Sequence, residues 1–442
     1  MRQSRGLLLL VLFSCVALIN ATNVASQVMP ASPTPPALQP KPEPSIVSPA
    51  QPISPTNPAA TSQIPATAGA IDAKIAVDKP AGPGVIGAPN VFHEVKPIEQ
   101  SKGVALILPF ASKTLGKAAE AVRAGFVAAY EAGGKDKFLY RSYLADDEGP
   151  SLASLYRKAV QEGAVAVVAG ITRDGAAVAA TEAGYLPTLA LNMPIDIVKA
   201  DANNFFHISL SLDGDARQIA RIAFKENFRN VVLLGGPSAL SRRIQDAFEK
   251  EWLRLGGTVA TRIAFSGEQV DGPKVKLAME KEDASKADAV FIAASMPAAR
   301  IGRPYLPIGL PVFATAHSVD PRAEAVDNLD LDSVKYLEMP WFAERDHAAV
   351  MSYSRSPDGT PVDYERLYAL GIDAWRIISA MLQPPTQPIA GNVNIVTDRP
   401  LRSFAPIDGV TGRISLDGNQ FVRSLSLLEM RDGQPKLVKS AE

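Results

Sequence analysis

The chain has 442 residues, 47% hydrophobic and 21% charged, and its 45 Lys and Arg against 46 Asp and Glu leave a formal net charge of -1. That balance lacks the basic footprint of a nucleic-acid binder. The single cysteine, Cys15, excludes an intrachain disulfide and any site built from several thiolates, so core packing must hold the fold.

Arg2 and Arg5 followed by the apolar run Gly6 to Phe13 read as a secretory signal, and even extended to Ile19 the run is short for a bilayer span. Two cleavage readings stand side by side. In one, Leu12-Phe13-Ser14-Cys15 is a lipobox and Cys15 is lipidated as the mature N-terminus; in the other, signal peptidase cuts at a small-residue pattern such as Val24-Ala25-Ser26. The expected division is a signal peptide over 1–25, a disordered linker over 26–100 and a globular body over 101–442.

The linker follows from composition. Of the 36 prolines, 16 fall among the 68 residues Pro30 to Pro97, and no aromatic residue occurs between Phe13 and Phe92. Such a segment buries too little apolar surface to offset its ordering entropy. As a coil it averages ~45 Å end to end and fully extended it reaches ~210 Å, enough to tether the body at a distance from an anchor.

The body's roughly 340 residues exceed what one hydrophobic core usually serves, so two lobes are expected. Short apolar runs alternate with amphipathic stretches: Val104 to Pro109, a helix near Gly116 to Ala132, Leu139 to Leu144, a helix near Leu152 to Glu162, Ala164 to Ala169, then Pro187 to Leu191. The rhythm repeats with Val231 to Leu234, Val259 to Phe265, Ala289 to Ala294 and Pro311 to Thr315. Repeated βα units with continuous apolar strands predict an α/β fold with parallel sheets covered on both faces. Ser241 is expected to cap a helix that buries Ile244, Phe248 and Trp252, and Leu367, Leu370, Ala374 and Ile378 mark a second helix, with Trp375 in its core face. Val410 to Leu416, the turn Asp417-Gly-Asn and Phe421 to Met430 read as a hairpin. The lobes are expected at about 101–207 with 340–400, and 208–339 with 401–442.

Catalytic patterns are not found. His93, His207, His317 and His347 are scattered, no glycine-rich phosphate loop follows a strand, and Gly235-Gly-Pro-Ser238 lacks the frame of a nucleophile elbow. Asp146-Asp147-Glu148 reads as a solvated acidic loop. No metal or cofactor is expected. In open α/β sheets ligands lie beyond the carboxyl ends of strands, which makes Ser112, Thr172, Asn192, Ser295, Thr315 and His317 the candidate lining of an inter-lobe cleft for a small polar ligand.

Several segments in order resemble the C-terminal domain of the penicillin-binding protein activator lipoproteins, the LpoA/LppC family: Ala105-Leu-Ile-Leu-Pro109, Val122-Arg-Ala-Gly-Phe126, Pro187-Thr-Leu-Ala-Leu-Asn192, Asp246 to Trp252, Pro311 to Thr315, Met339-Pro-Trp341, Arg366 to Ala374 and Gly409-Val-Thr-Gly412. The resemblance implies a type I periplasmic-binding-protein fold and a non-catalytic lipoprotein on the periplasmic side of the outer membrane, anchored through Cys15. Its implied partner is a class A penicillin-binding protein, the peptidoglycan synthase. Long members of that family carry a helical-repeat domain before this body, where the present chain has the proline-rich arm. Trp341, Phe342, Arg300 and Arg303 are candidate partner contacts, because Trp and Arg are favoured interface anchors. The competing function is a solute-binding receptor for an amino acid or wall fragment. An enzyme has no residues to carry it.

Overall fold

The computed structural model describes residues 103–133, 138–184, 186–195, 204–265, 271–356, 359–383 and 404–438. The expected signal peptide, Cys15 and the expected linker lie outside them.

The first half of the body alternates β1 (Gly103–Leu108), α1 (Gly116–Gly133), β2 (Leu139–Leu144), α2 (Pro150–Gln161), β3 (Ala164–Ala169), α3 (Arg173–Glu182), β4 (Thr188–Ala190) and β5 (Phe205–Ile208). The second half runs α4 (Leu212–Lys225), β6 (Asn230–Gly235), α5 (Ala239–Arg254), β7 (Thr258–Ala264), α6 (Gly272–Met279), α7 (Glu282–Ser285), β8 (Ala289–Ala293), α8 (Met296–Gly302), β9 (Val312–Thr315), α9 (Ala325–Asn328) and β10 (Val334–Glu338). The chain then returns through α10 (Pro340–Ala343), α11 (Ala348–Met351) and the long α12 (Val362–Leu382). Five strands close it: β11 (Ile407–Asp408), β12 (Arg413–Asp417), β13 (Gln420–Ser424), β14 (Ser426–Arg431) and β15 (Gln434–Leu437).

These strands form two sheets, in the orders β11-β12-β13-β5-β4-β3-β1-β2 and β15-β14-β10-β9-β8-β6-β7. Each is parallel through its centre, and the antiparallel pairs lie at one side. The chain passes between the sheets three times, at Ser209–Ser211, at Met339 and at Leu425. This is the two-lobed α/β architecture that the alternating apolar runs predict.

The C-terminal tail is divided differently from the expectation that 401–442 belongs wholly to the second lobe. β12 and β13 form a hairpin whose second arm pairs in parallel with β5, and Val410, Ile414 and Phe421 are buried in the first lobe's core. Only β14 and β15 join the second sheet, through pairing with β10. The run Phe421 to Met430 is thus two strands broken at Leu425, where Gln218 of α4 accepts from the Leu425 N–H and donates to its carbonyl.

Close backbone approach defines the first lobe's helical layer. α1 crosses α12 at Gly125 and Gly371, where an added Cβ on Gly125 would stand 1.8 Å from the Tyr368 carbonyl oxygen, and on Gly371 2.0 Å from that of Val122. Only glycine permits such contact. Beside the crossing the Trp375 ring meets Phe126 and Tyr130 edge-on, both with centroids 5.1 Å away. In the second lobe Phe248 stacks between Trp252 and Phe291. The cap of α5 is Ser238, whose hydroxyl accepts from the Ser241 N–H at 3.0 Å; Ser241, the expected cap, sits buried inside the helix.

Candidate functional site: an inter-lobe clasp

The three passages between the sheets meet at a cavity of about 460 Å³, with walls from α4, the turn after β9, the end of β10, the first turn of α12 and the end of β13. Two buried ion pairs cross it in the same sense. Arg366 of α12, in the first lobe, donates to both carboxylate oxygens of Glu338, at the end of the second sheet's β10, at 2.8 and 2.7 Å. Arg423 of β13 reaches Asp215 of α4 at 3.3 Å and donates to the Ser209 carbonyl at 2.9 Å and the Thr411 carbonyl at 3.1 Å. A third pair runs the other way, from Arg322 of the second lobe to Glu365 of α12, which also accepts from the Trp341 indole N–H.

Each guanidinium here already faces a carboxylate. The Arg366–Glu338 pair is bidentate and satisfies both partners geometrically, while Arg423 divides its donors between Asp215 and two main-chain carbonyls, so neither guanidinium is free to clamp an anionic solute. Burial pushes the Asp215 carboxyl up to about 6, against the pull of Arg423. Burial also lowers His317, opposed by Asp363.

Of the six candidate cleft residues, only His317 lines this cavity. Thr315 is fully buried beside it, with a hydroxyl that has no hydrogen-bond partner among the described residues. Thr172 caps α3 by accepting from the Gly175 N–H. Asn192 braces the first lobe's strand ends, donating to the Ile171 carbonyl and accepting from the Met193 N–H. Ser112 lines a separate shallow depression with Tyr364, and Ser295 stands exposed before α8.

Other expectations need correction. Trp341 is fully buried and cannot meet a partner in this conformation, because its ring fills the first lobe's core and its N–H is taken by Glu365. Phe342 is half-buried beneath the Arg366 guanidinium, 5.0 Å from its ring centroid. Glu148, expected in solvent, is 7% exposed and accepts from the Ile171 and Thr172 N–H groups, both at 2.7 Å. Glu148 thus anchors the β3–α3 turn, while Asp146 and Asp147 are exposed as expected.

The residues that the clasp uses, Asp215, Glu338, Arg366 and Arg423, were not among the candidates. Glu338 and Arg366 are 28 positions apart, and Asp215 and Arg423 are 208 apart. No local pattern signals such partners. Among the described residues no cluster of three or more His, Cys, Asp or Glu is placed to hold a metal ion, and no helix is long and apolar enough to cross a membrane.

A family model described as "LppC putative lipoprotein" matches residues 62–433. The chain belongs to the LppC family. Among relatives of this LppC chain, the "Penicillin-binding protein activator LpoA" of Enterobacter sp. (strain 638) is 24% identical over 296 residues, which are 58% of this chain and 41% of that protein. The chain therefore matches less than half of that relative's length. The C-domain of LpoA from Haemophilus influenzae, described as a regulator of PBP1A, superposes with a TM-score of 0.61 at 19% identity, over 76% of this chain and all of that one. A protein from Chromobacterium violaceum, described as a "putative branched-chain amino acid ABC transporter", superposes with a TM-score of 0.60 at 31% identity, over 75% of this chain and all of that one. The LppC fold is thus shared by activators and by transport proteins, so the fold cannot choose between them.

Proposed function

We propose that this LppC protein is a non-catalytic activator of a class A penicillin-binding protein, lipid-anchored through Cys15 on the periplasmic side of the outer membrane. The observation that carries the reading is the state of the inter-lobe clasp: a receptor for an anionic solute such as an amino-acid carboxylate needs a free cation in its cleft, whereas here the two cavity-lining arginines are each paired with a carboxylate of the opposite lobe. Family membership and the likeness to the LpoA C-domain support it. The proline-rich arm gives the reach between anchor and partner. Activation works by population shift, the body binding the active synthase conformation more tightly than the resting one.

Pull-down of a class A synthase's periplasmic domains by the purified chain tests the reading. Saturable binding is expected, and absence of binding refutes it. For the anchor, metabolic lipid labelling of the wild type is expected to vanish in Cys15→Ser; label that persists in the variant excludes the lipobox.

The second reading, a solute receptor, has one observation in its favour, the 31% identity to the Chromobacterium violaceum protein. A thermal-shift screen with amino acids and muropeptides separates the two. A true ligand at a hundred times its dissociation constant stabilises by about 2.7 kcal/mol, and the activator reading expects no such shift.

A further inference from the structure

Twelve large apolar side chains are exposed among the described residues, and five of them, Ile301, Tyr305, Ile308, Val326 and Leu329, fall within the short stretch 301–329 of the second lobe. Tertiary contacts gather that stretch onto one side. Arg300 of α8 reaches Asp327 and Asp330 at 3.7 Å, which ties α8 to α9 and the turn after it. Ile308, which is completely exposed, and Leu329, at 53%, wall one concavity of about 580 Å³ together with Pro304 and Arg303. Of the five, Ile308 and Leu329 line the concavity, and exposed apolar side chains that share a concavity, unlike single scattered ones, point to an interaction site.

The charges around it are layered. Asp327 and Asp330 are half-exposed, and Glu324 and Asp332 are exposed, whereas Arg300 and Arg303 lie lower, partly covered. Lys335, the remaining cation of the concavity, is occupied by Glu226 at 2.7 Å. The carboxylates Asp330, Asp332 and Glu429 thus line the concavity beside the exposed apolar side chains Ile308 and Leu329. Beneath it the buried Nε of Arg303 has no hydrogen-bond partner among the described residues. Because that Nε is covered, it is a feature of the interior beneath the concavity and not a contact point for a partner.

We infer that this face of the second lobe is the surface that docks on the synthase, an assignment that rests on the activator reading above. The complementary segment presents an aliphatic side chain to Ile308 and Leu329, and Lys or Arg to the acidic side chains Asp330 and Asp332 beside them. Electrostatic complementarity of this kind sets orientation and on-rate, and the apolar centre sets residence time.

The test measures the affinity of the full chain for the periplasmic part of a class A synthase, for wild type and for Ile308→Glu, Leu329→Glu and Asp330→Lys. Leu144→Glu, an equally exposed apolar site at 65% on the first lobe, is the control. All four positions are exposed, so melting temperatures close to wild type establish that each variant is folded. Each patch substitution is expected to weaken binding about tenfold or more, the Asp330→Lys loss being larger at low salt, with Leu144→Glu unchanged. Patch variants that retain wild-type affinity, or a Leu144→Glu loss of equal size, overturn the assignment and leave the activator reading standing. A wild-type chain that fails to bind any class A synthase refutes that reading and the assigned occupant with it. Loss of self-association in the patch variants, with synthase binding intact, makes the surface a contact between copies and likewise overturns it.

Discussion

Gly371→Val is expected to lower stability by about 3 kcal/mol, at the upper end of overpacking costs, read as a drop in melting temperature and in the denaturant midpoint. At this position a Cβ meets the Val122 carbonyl oxygen at 2.0 Å and the Phe126 amide nitrogen at 2.9 Å. Both neighbours are main chain, so neither can swing aside as a flexible side chain would. Relief requires α1 and α12 to separate, which opens the first lobe's core beneath Phe126 and Trp375. Gly133→Ala, in the last turn of α1 where an added methyl meets nothing within 4 Å, is the control and is expected to leave stability almost unchanged. A Gly371→Val protein that melts with the wild type contradicts the described crossing.

The second large effect concerns the clasp and depends on pH. Arg423→Met removes the only cation bonded to buried Asp215 among the described contacts, together with hydrogen bonds to Ser209 and Thr411. Leaving a buried charge without its partner costs about 3 to 5 kcal/mol. Burial already raises the Asp215 carboxyl to about 6 in the folded protein, with Glu338 adding to the rise and Arg366 opposing it. A folded value above the unfolded one means that the native state holds this proton more tightly. The stability contributed by the group is then full below the unfolded value of 3.8 and declines as pH rises through about 6. Removing Arg423 deletes a lowering influence, so the decline extends to higher pH. At acid pH, where Asp215 is neutral, the variant is expected to show only the constant deficit left by the lost Ser209 and Thr411 hydrogen bonds, and to fall further below wild type as pH rises above about 6. Denaturant unfolding across that range checks it; a deficit that does not vary with pH shows that the lost packing and main-chain hydrogen bonds of the arginine, and not its pairing with Asp215, are what matter.

The parallel architecture was legible because β1, β3, β6 and β8 are uninterrupted apolar runs and are buried along nearly their whole length. β5 and β10 escaped notice for a physical reason. Each is short and carries a polar residue, His207 or Glu338, that reads as surface until its burial in the fold is seen. Glu148 misled in the same way, since its two N–H donors lie more than twenty positions downstream. For the candidate site, the rule that ligands lie beyond strand ends selected residues such as Thr172 and Asn192, whose side chains serve local turns. The residues that span the lobes are an Arg and an Asp or Glu drawn from different elements, and their pairing is a property of topology. Arg303 was a reasonable interface candidate by residue type, but the exposed Ile308 and Leu329 beside it carry the apolar part of that surface.

The central claim is activation, and the most direct measurement is the rate of glycan-strand polymerisation by a purified class A synthase as this chain is titrated in. The account predicts a saturable rise in rate whose midpoint matches the binding affinity, with no requirement for an added small ligand. A flat rate across concentrations at which the chain is folded and the synthase is active contradicts it.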